Sequence, residues 1–191
     1  MKKKVISIII ILIIAIIIAL GAYFVIQKNN EEKRNYEIAQ ITDYKYYVIK
    51  EEDKYGVIDS EGNKIIETQY DNVKIPNPEQ AVFVCYEGEE TKVLNENSEE
   101  ILTQYKGLEP LRLKNILSDL MYEKTVLKYS ENGKYGILDF TGKKLTKAIY
   151  DEIDTLQSKE GELLVKIENK YGVININGAT LVKTEYDKIK A

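Results

Sequence analysis

The side chains of this sequence that could take part in chemistry are carboxylates and tyrosines. The chain has no histidine and a single cysteine, Cys85. The lack of histidine excludes Ser-His-Asp and Cys-His catalysis and removes the commonest metal ligand. Cys85 lies in an alternating segment, residues 82–86, as in a half-buried strand, so we expect a buried and unreactive thiol. A single cysteine also leaves no intrachain disulfide possible.

Three aspartates, Asp71, Asp151 and Asp187, each follow a tyrosine at equivalent positions of a repeated motif. A catalytic carboxylate pair needs two unlike environments, one for the acid and one for the base. Residues that recur with a repeat occupy similar environments, so these aspartates are predicted to be structural. The acids outside the repeat are the remaining candidates for an enzyme, and they are Glu87, Glu89, Glu90 and Glu109.

Two other features could have indicated a site. The segment from Asp59 to Gly62 resembles a calcium-binding loop only vaguely and lacks the alternating oxygen ligands, so it predicts a turn. The 15 tyrosines could include an aromatic platform for a sugar or a peptide, although the repeat explains most of them. We therefore predict no catalytic residue, no cofactor and no metal site, and we do not expect an enzyme.

The motif occurs three times without gaps, in Lys54–Val73, Lys134–Ile153 and Lys170–Ile189. Each copy contains Lys-Tyr-Gly, two aliphatic residues, Asp or Asn, a glycine three residues later, and Tyr-Asp near its end. A degenerate copy near residues 81–105 has lost the Tyr-Gly pair and the turn glycine. The repeated structural residues are Tyr55, Gly56, Gly62, Tyr70, Asp71, Tyr135, Gly136, Gly142, Tyr150, Asp151, Tyr171, Gly172, Gly178, Tyr186 and Asp187.

Each copy predicts short β-strands joined by tight turns. β-branched and aromatic residues predominate beside each Tyr-Gly pair, and the D-x-x-G segment that follows favours a turn. Another strand precedes each Lys-Tyr-Gly, so one unit is an antiparallel meander of about three strands. The predicted units lie near residues 44–73, 81–105, 125–153 and 163–189. Because a lone meander cannot bury both of its faces, neighbouring units must stack.

The Tyr-Gly glycines, Gly56, Gly136 and Gly172, are predicted to remove a side chain where a neighbouring backbone or ring comes close. Between the degenerate copy and the next unit, residues 109–124 predict an inserted amphipathic helix. Pro110 suits a first-turn position, and we expect the helix to pack against the β-repeats, with partner binding as the alternative. Its apolar residues at helical spacing are Leu113, Ile116, Leu117, Leu120 and Met121.

An N-terminal apolar block predicts a membrane anchor. Val5–Ile26 contains no charged residue and consists mainly of isoleucine, leucine, valine and phenylalanine. As a helix rising about 1.5 Å per residue it would span roughly 33 Å, slightly more than the ~30 Å hydrocarbon core of a bilayer. The lysines at positions 2–4 favour a cytoplasmic N-terminus. The alternative is a signal peptide cleaved near Ala19–Ala22, which would make the protein secreted.

The predicted order of the chain is a cytoplasmic tail (residues 1–4), a single transmembrane helix (5–26), a linker (27–43) and an all-β domain of tandem antiparallel meander and hairpin repeats (44–191). Because so short a tail cannot house a nucleotide site or a DNA-binding module, function is expected outside or laterally within the membrane. All 31 acidic residues follow the apolar block. An acidic domain repels phosphate backbones, so no nucleic-acid partner is expected.

The repeated motif resembles the WG-repeat family, bacterial repeats in which an aromatic residue, usually tryptophan, precedes a glycine and a turn such as D-x-x-G. The resemblance covers most of Lys45–Ile189, with tyrosine in every tryptophan position. It implies tandem β-hairpin units, often in surface or exported proteins, and it implies no general activity.

Anchoring, repetition and the lack of catalytic residues lead us to expect a binding or interaction module at the outer face of the cell membrane. Its expected partner is a protein or a cell-envelope polymer. Two alternatives stay open, namely an enzyme that acts on envelope material through Asp, Glu and Tyr, and a passive structural scaffold.

Overall fold

The computed structural model describes residues 20–26, 28, 44–113, 122–156 and 161–190. It divides into two compact units, one up to Asp43 and one from Tyr44 onward. In the first unit, the described residues are helical. No helix among the described residues is both long and apolar enough to cross a membrane. Most of the span predicted from the sequence lies outside the described residues.

The strands of the second unit form four antiparallel sheets, in each of which strands adjacent in sequence are hydrogen-bonded to one another. This arrangement confirms the predicted β-fold of antiparallel hairpins. The first sheet contains β1 (Tyr46–Glu51), β2 (Lys54–Asp59) and β3 (Lys64–Tyr70), and the second contains β4 (Asn72–Lys74), β5 (Phe83–Glu87), β6 (Glu90–Leu94) and β7 (Glu100–Ile101). The third contains β8 (Lys106–Arg112), β9 (Tyr122–Glu131) and β10 (Lys134–Asp139), and the fourth contains β11 (Glu152–Thr155), β12 (Glu162–Ile167), β13 (Lys170–Asn175) and β14 (Thr180–Tyr186).

The turn that follows each Lys-Tyr-Gly strand is stabilised by hydrogen bonds to the side chain of the first residue of the turn. Asp59 Oδ1 accepts hydrogen bonds from the backbone amides of Glu61 and Asn63, at 2.9 and 2.8 Å. Gly62 has a φ of 87°, in the left-handed region that glycine adopts without steric cost. The same pair of amide bonds recurs in the other three sheets, at Asn95, Asp139 and Asn175.

The core consists of three buried clusters, each shared by two successive sheets. Val57 and Ile66 of the first sheet form one cluster with Phe83 and Leu94 of the second. The second and third sheets share the next cluster, and the third and fourth share the last. Side chains alternate between the faces of a strand, so each of the two middle sheets contributes one face to each neighbour. Within the described part of the chain, the two outer sheets each pack one face in this way.

The glycines of the first and last Tyr-Gly pairs lie where backbone leaves no room for a side chain. A Cβ at Gly56 would come within 2.5 Å of the Ile66 carbonyl oxygen, and one at Gly172 within 2.7 Å of the Val182 carbonyl oxygen. Both oxygens belong to the next strand of the same sheet, which shifts its pairing register at this point. The glycine therefore makes room for an irregular outer strand.

The turn of a later sheet packs on the backbone of the sheet before it. Ser98 takes the place of Gly62 in the second sheet, with a φ of 61°, and donates a hydrogen bond to the Ile65 carbonyl oxygen at 2.7 Å. In the fourth sheet, a Cβ at Gly178 would lie 2.3 Å from the Leu145 carbonyl oxygen. Ile65 and Leu145 hold equivalent positions in their repeats, so the second and fourth sheets contact the same backbone position of the sheet before them.

The aspartate of the Tyr-Asp pair joins two consecutive hairpins. Asp71 accepts a hydrogen bond from Lys54 Nζ at 2.7 Å and another from the backbone amide of Gly88 at 2.8 Å. Asp151 accepts the equivalent pair of bonds one repeat further along. The Gly88 amide, and after it Lys54, holds the pKa of the Asp71 carboxyl below its usual range. The charged aspartate is thus part of the connection between units.

Both ends of the helix predicted for residues 109–124 are strands, so that prediction is wrong there. β8 and β9 extend into the segment from either side and pair with one another. Leu108 and Leu111 fall in different buried clusters, as expected for opposite faces of a strand. Pro110 is tolerated because β8 is an edge strand of its sheet. Residues 114–121 lie outside the described residues.

We expect Gly178→Ala to destabilise the protein more than Gly62→Ala, although both glycines hold the same turn position. Each alanine must adopt a positive φ, at a cost of about 1–2 kcal/mol. Gly178→Ala must also displace the Leu145 backbone, which adds about 1–3 kcal/mol of overpacking. Among the described residues, nothing lies within 4 Å of a Cβ at Gly62. Chemical denaturation measures both losses, and equal losses would contradict this description of unit stacking.

Asp71→Asn should remove a pH-dependent contribution to stability. Because folding lowers the pKa of Asp71, its carboxylate stabilises the fold above the unfolded-state pKa, and the contribution is lost as the pH falls through the folded-state pKa. The variant should be less stable than the wild type at neutral pH and should approach it in acid, as measured by urea denaturation across pH. Asp187→Asn is the matched control, since its side chain is 89% exposed; a pH dependence as large there would contradict the explanation.

Candidate functional site

A cleft of about 370 Å³ lies at the third sheet, beside the link from the second sheet. Its walls come from the end of β9, the start of β8 and the segment after β10. It combines aromatic rings with ammonium, carboxylate, amide and hydroxyl groups, and we refer to it as the tyrosine cleft. The lining residues are Gln104, Tyr105, Lys106, Tyr129, Ser130, Glu131, Asn132 and Lys144.

Tyr129 forms the floor of the tyrosine cleft and is only 1% exposed. Its hydroxyl donates a hydrogen bond to the Thr146 carbonyl oxygen at 2.9 Å. Tyr129 is the direct cross-strand partner of Gly136, and a Cβ at Gly136 would lie 2.6 Å from the tyrosine ring. In this sheet the Tyr-Gly glycine therefore makes room for an aromatic ring, whereas its equivalents make room for backbone.

Tyr105 and Lys144 complete the aromatic part of the cleft. The rings of Tyr105 and Tyr129 are 5.4 Å apart and tilted by 54°, and the Tyr105 hydroxyl donates to the Gly142 carbonyl oxygen at 2.7 Å. The Lys144 ammonium lies 4.9 Å from the centre of the Tyr129 ring and 5.6 Å from that of Tyr105. It also binds Glu131 at 2.9 Å. One lysine is thus positioned by two rings and one carboxylate.

The protonation states of the cleft follow from these contacts. The hydrogen bond that the Lys144 ammonium donates to Glu131 raises the pKa of Lys144 above its usual range, and burial raises the pKa of Tyr129. At neutral pH the site therefore presents the Lys144 ammonium and the neutral phenol of Tyr129, beside the side chains of Glu131 and Gln104. These groups can donate to and accept from the hydroxyl or amide groups of a ligand, and the Tyr105 ring can contact an apolar surface.

The acids outside the repeat, which were the candidates for an enzyme, are not brought into one site. Glu87, Glu89 and Glu90 lie in the hairpin between β5 and β6. Glu109 lies on β8, where it forms an ion pair with Lys128 at 2.7 Å. None of the four lines the tyrosine cleft.

The single cysteine lies in the core. Cys85 is 1% exposed, and burial raises the pKa of its thiol to about 12. A thiol in this environment stays protonated and unreactive, as the alternating segment around it predicts. Among the described residues, no group of three or more His, Cys, Asp or Glu side chains could hold a metal ion.

The repeated motif residues lie at three recurring places of each unit and do not converge on one site. The Tyr-Gly pair lies near the start of a strand (β2, β10 or β13), the turn glycine lies in the turn after that strand, and the Tyr-Asp pair lies at the end of the repeat. Sequence reasoning missed Tyr129 and Lys144 because neither belongs to the motif. A signal was present at Tyr129, whose place opposite the glycine is held by Ile49 in the first sheet and Val165 in the fourth.

Residues 55–85 match a family model described as a WG containing repeat. This segment of the chain is similar to a WG repeat. The match confirms the resemblance inferred from the motif, and it runs from the Tyr-Gly pair of β2 through β3 and β4 into β5. The WG repeat therefore includes the Asp59 turn, the Tyr-Asp pair and the first strands of the next sheet.

No curated protein matches the chain. Among solved structures, a similar chain is that in "Structure of Kluyveromyces lactis Hsv2p", at 12% sequence identity and a TM-score of 0.39. The match covers 70% of this chain and 43% of that chain. This chain thus spans less than half the length of that structure, and a similarity at this level carries no information on function.

We expect the cost of Gly136→Ala to depend on Tyr129. Because the ring of Tyr129 fills the space beside the glycine, Gly136→Ala should be less destabilising in a Tyr129→Val background than in the wild type. The coupling energy should be about 1 kcal/mol or more, as for other residues in direct contact. Urea denaturation of the two single variants and the double variant measures it.

The matched control for this cycle is Gly172→Ala with Val165→Ala. Val165 holds the position of Tyr129, but Gly172 faces the backbone of β14. This second cycle should show little coupling. Equal coupling in the two sheets would contradict the steric role assigned to the Tyr129 ring.

Proposed function

We propose that this WG-repeat protein is a membrane-anchored, extracytoplasmic binding module whose tyrosine cleft holds a segment of a cell-envelope polymer. The composition of the cleft carries the proposal. A glycan offers apolar ring faces together with hydroxyl and amide edges. Tyr105 supplies an aromatic surface for the ring faces. Lys144, Glu131 and Gln104 supply donors and acceptors for the hydroxyl and amide edges.

The order of the chain supports a location outside the cell membrane. The uncharged block Val5–Ile26 is long enough to span a bilayer as a helix, and the lysines before it favour a cytoplasmic N-terminus. Residues 27–43 would reach at most about 61 Å if fully extended. Such a linker lets an anchored domain reach polymer at some distance from the lipid surface.

The preorganisation of Lys144 also supports a binding role. Its ammonium is held over two aromatic rings and bonded to Glu131, so little side-chain freedom is left to lose when a ligand binds. Binding by a preordered group avoids part of the entropic cost of immobilising a long side chain. The same geometry suits a polar peptide segment, which the experiment below separates from a glycan.

Membrane vesicles that carry the full chain test the proposal. Right-side-out vesicles should retain labelled cell-wall glycan, and inverted vesicles should not. Lys144→Ala should weaken retention about tenfold or more, because a hydrogen bond to a charged group contributes roughly 1.5–3 kcal/mol. Sedimentation of the vesicles measures the bound label as a function of glycan concentration.

Lys166→Ala is the matched control. Lys166 also lies over a tyrosine ring, that of Tyr171 at 5.6 Å, and also pairs with a glutamate, but it lies outside the cleft. This variant should bind the glycan as the wild type does. Equal retention by wild type and Lys144→Ala would exclude the cleft, and retention of envelope protein in place of glycan would assign it to a polypeptide.

A further inference from the structure

The exposed apolar side chains of the repeat domain concentrate on its two outer sheets. In the described residues from 44 onward, five large apolar side chains are exposed, and four of them lie on or beside the first sheet or on the fourth. These four are Tyr44, Tyr47, Leu181 and Tyr186, at 37 to 50% exposure.

On the first sheet, the exposed position is one that the other sheets bury completely. Tyr47 pairs with Ile58 across β1 and β2, as Phe83 pairs with Leu94 in the second sheet. Tyr47 is 45% exposed, whereas Phe83 and the equivalent residue of the fourth sheet, Leu163, are each 0% exposed. In those sheets this position packs against the preceding sheet. We call the surface at Tyr47 and Ile58 the first free face.

On the fourth sheet, the exposed positions belong to the opposite face. Tyr186 is 47% exposed, whereas its equivalents Tyr70 and Tyr150 are 9% and 6% exposed. Tyr70 lies in a buried cluster with residues of the second sheet, and Tyr150 lies in one with residues of the fourth sheet. Leu181 is 50% exposed and is equivalent to Ile65, whose carbonyl oxygen accepts a hydrogen bond from the turn of the next sheet. We call the surface at Leu181 and Tyr186 the last free face.

The two free faces are complementary halves of the interface that already occurs within the chain. Inside the array, Ser98 donates to the Ile65 carbonyl oxygen and Gly178 packs on the Leu145 carbonyl oxygen. The turn at Gly62 is the equivalent of these turns, and no described residue occupies the space beside it. The first free face thus carries the turn, and the last free face carries the backbone position that such a turn contacts.

We propose that the last free face binds the first free face of a second copy of this chain, in the geometry by which successive sheets stack within one copy. Such a contact is heterologous, because each copy uses two different surfaces, and repetition of it produces a chain of copies. At this contact, Tyr47 of one copy has the role that Phe83, Leu127 and Leu163 have between sheets of the same copy. It packs against the apolar surface around Tyr186 of the next copy.

Cysteine crosslinking in the full, membrane-bound chain tests the proposal. Gly62→Cys combined with Leu181→Cys places one thiol on each free face, and Ser98 shows that the turn position accepts a side chain at a positive φ. Mild oxidation should join copies into a ladder of dimers, trimers and longer species on a non-reducing gel. Each single variant should give no such ladder, and two single variants expressed together with different tags should give the mixed dimer.

Two control pairs calibrate the reaction. Ser98→Cys with Ile65→Cys places thiols across the interface within one chain, where the hydroxyl and the carbonyl oxygen are 2.7 Å apart, and it should crosslink within the monomer. Glu89→Cys with Lys147→Cys places thiols at exposed positions away from both free faces and should give no ladder.

The outcome is decided by the product of the Gly62→Cys and Leu181→Cys pair. A ladder that disappears when Tyr47→Glu is added supports the proposal, because a charge cannot enter the apolar contact. A crosslink confined to the monomer would show that the faces meet within one chain and would overturn it. Monomers with both thiols free and reactive, beside a positive internal control, would also overturn it.

Discussion

Every sheet of this protein has two apolar faces, and a three- or four-stranded meander cannot cover either by itself. In this chain successive sheets bury these faces against one another, which makes stacking the constraint on which the fold depends. Phe83 and Val84 illustrate it, since adjacent residues of one strand belong to different clusters shared with different neighbours. Stability therefore belongs to the array, and a single unit has no core of its own.

The tyrosine cleft is a consequence of the degenerate repeat. Lys92 is at the position that glycine occupies in the other units. Its side chain prevents the outer strand of the second sheet from approaching as closely as β3 approaches Gly56. The outer strand β7 is two residues long, and the chain leaves it at Leu102 with a φ of 59°. The link that follows brings Tyr105 beside Tyr129. The irregular link of the degenerate unit thus contributes Tyr105 to the cleft.

Local chemistry made much of the fold predictable from the sequence. The Asp59 turn and the strands beside it follow from residue types within a few positions, and the repeated motif implies that the units stack. The helix predicted for residues 109–124 is wrong at its two ends, because the first residues of the segment pair as part of β8 with the long strand β9, which includes the last ones. The cleft could not be predicted, because Tyr129 and Lys144 meet through long-range pairing and neither belongs to the motif.

The stacking contact at Ser98 and Gly178 is made to the main chain of the preceding unit, at Ile65 and Leu145. A main-chain carbonyl is present whatever side chain the residue carries. Two units that have diverged in sequence can therefore still dock, and a gene that duplicates or deletes one unit does not need matching changes in its neighbours. The array can change its length during evolution more easily than it can change the internal geometry of a unit.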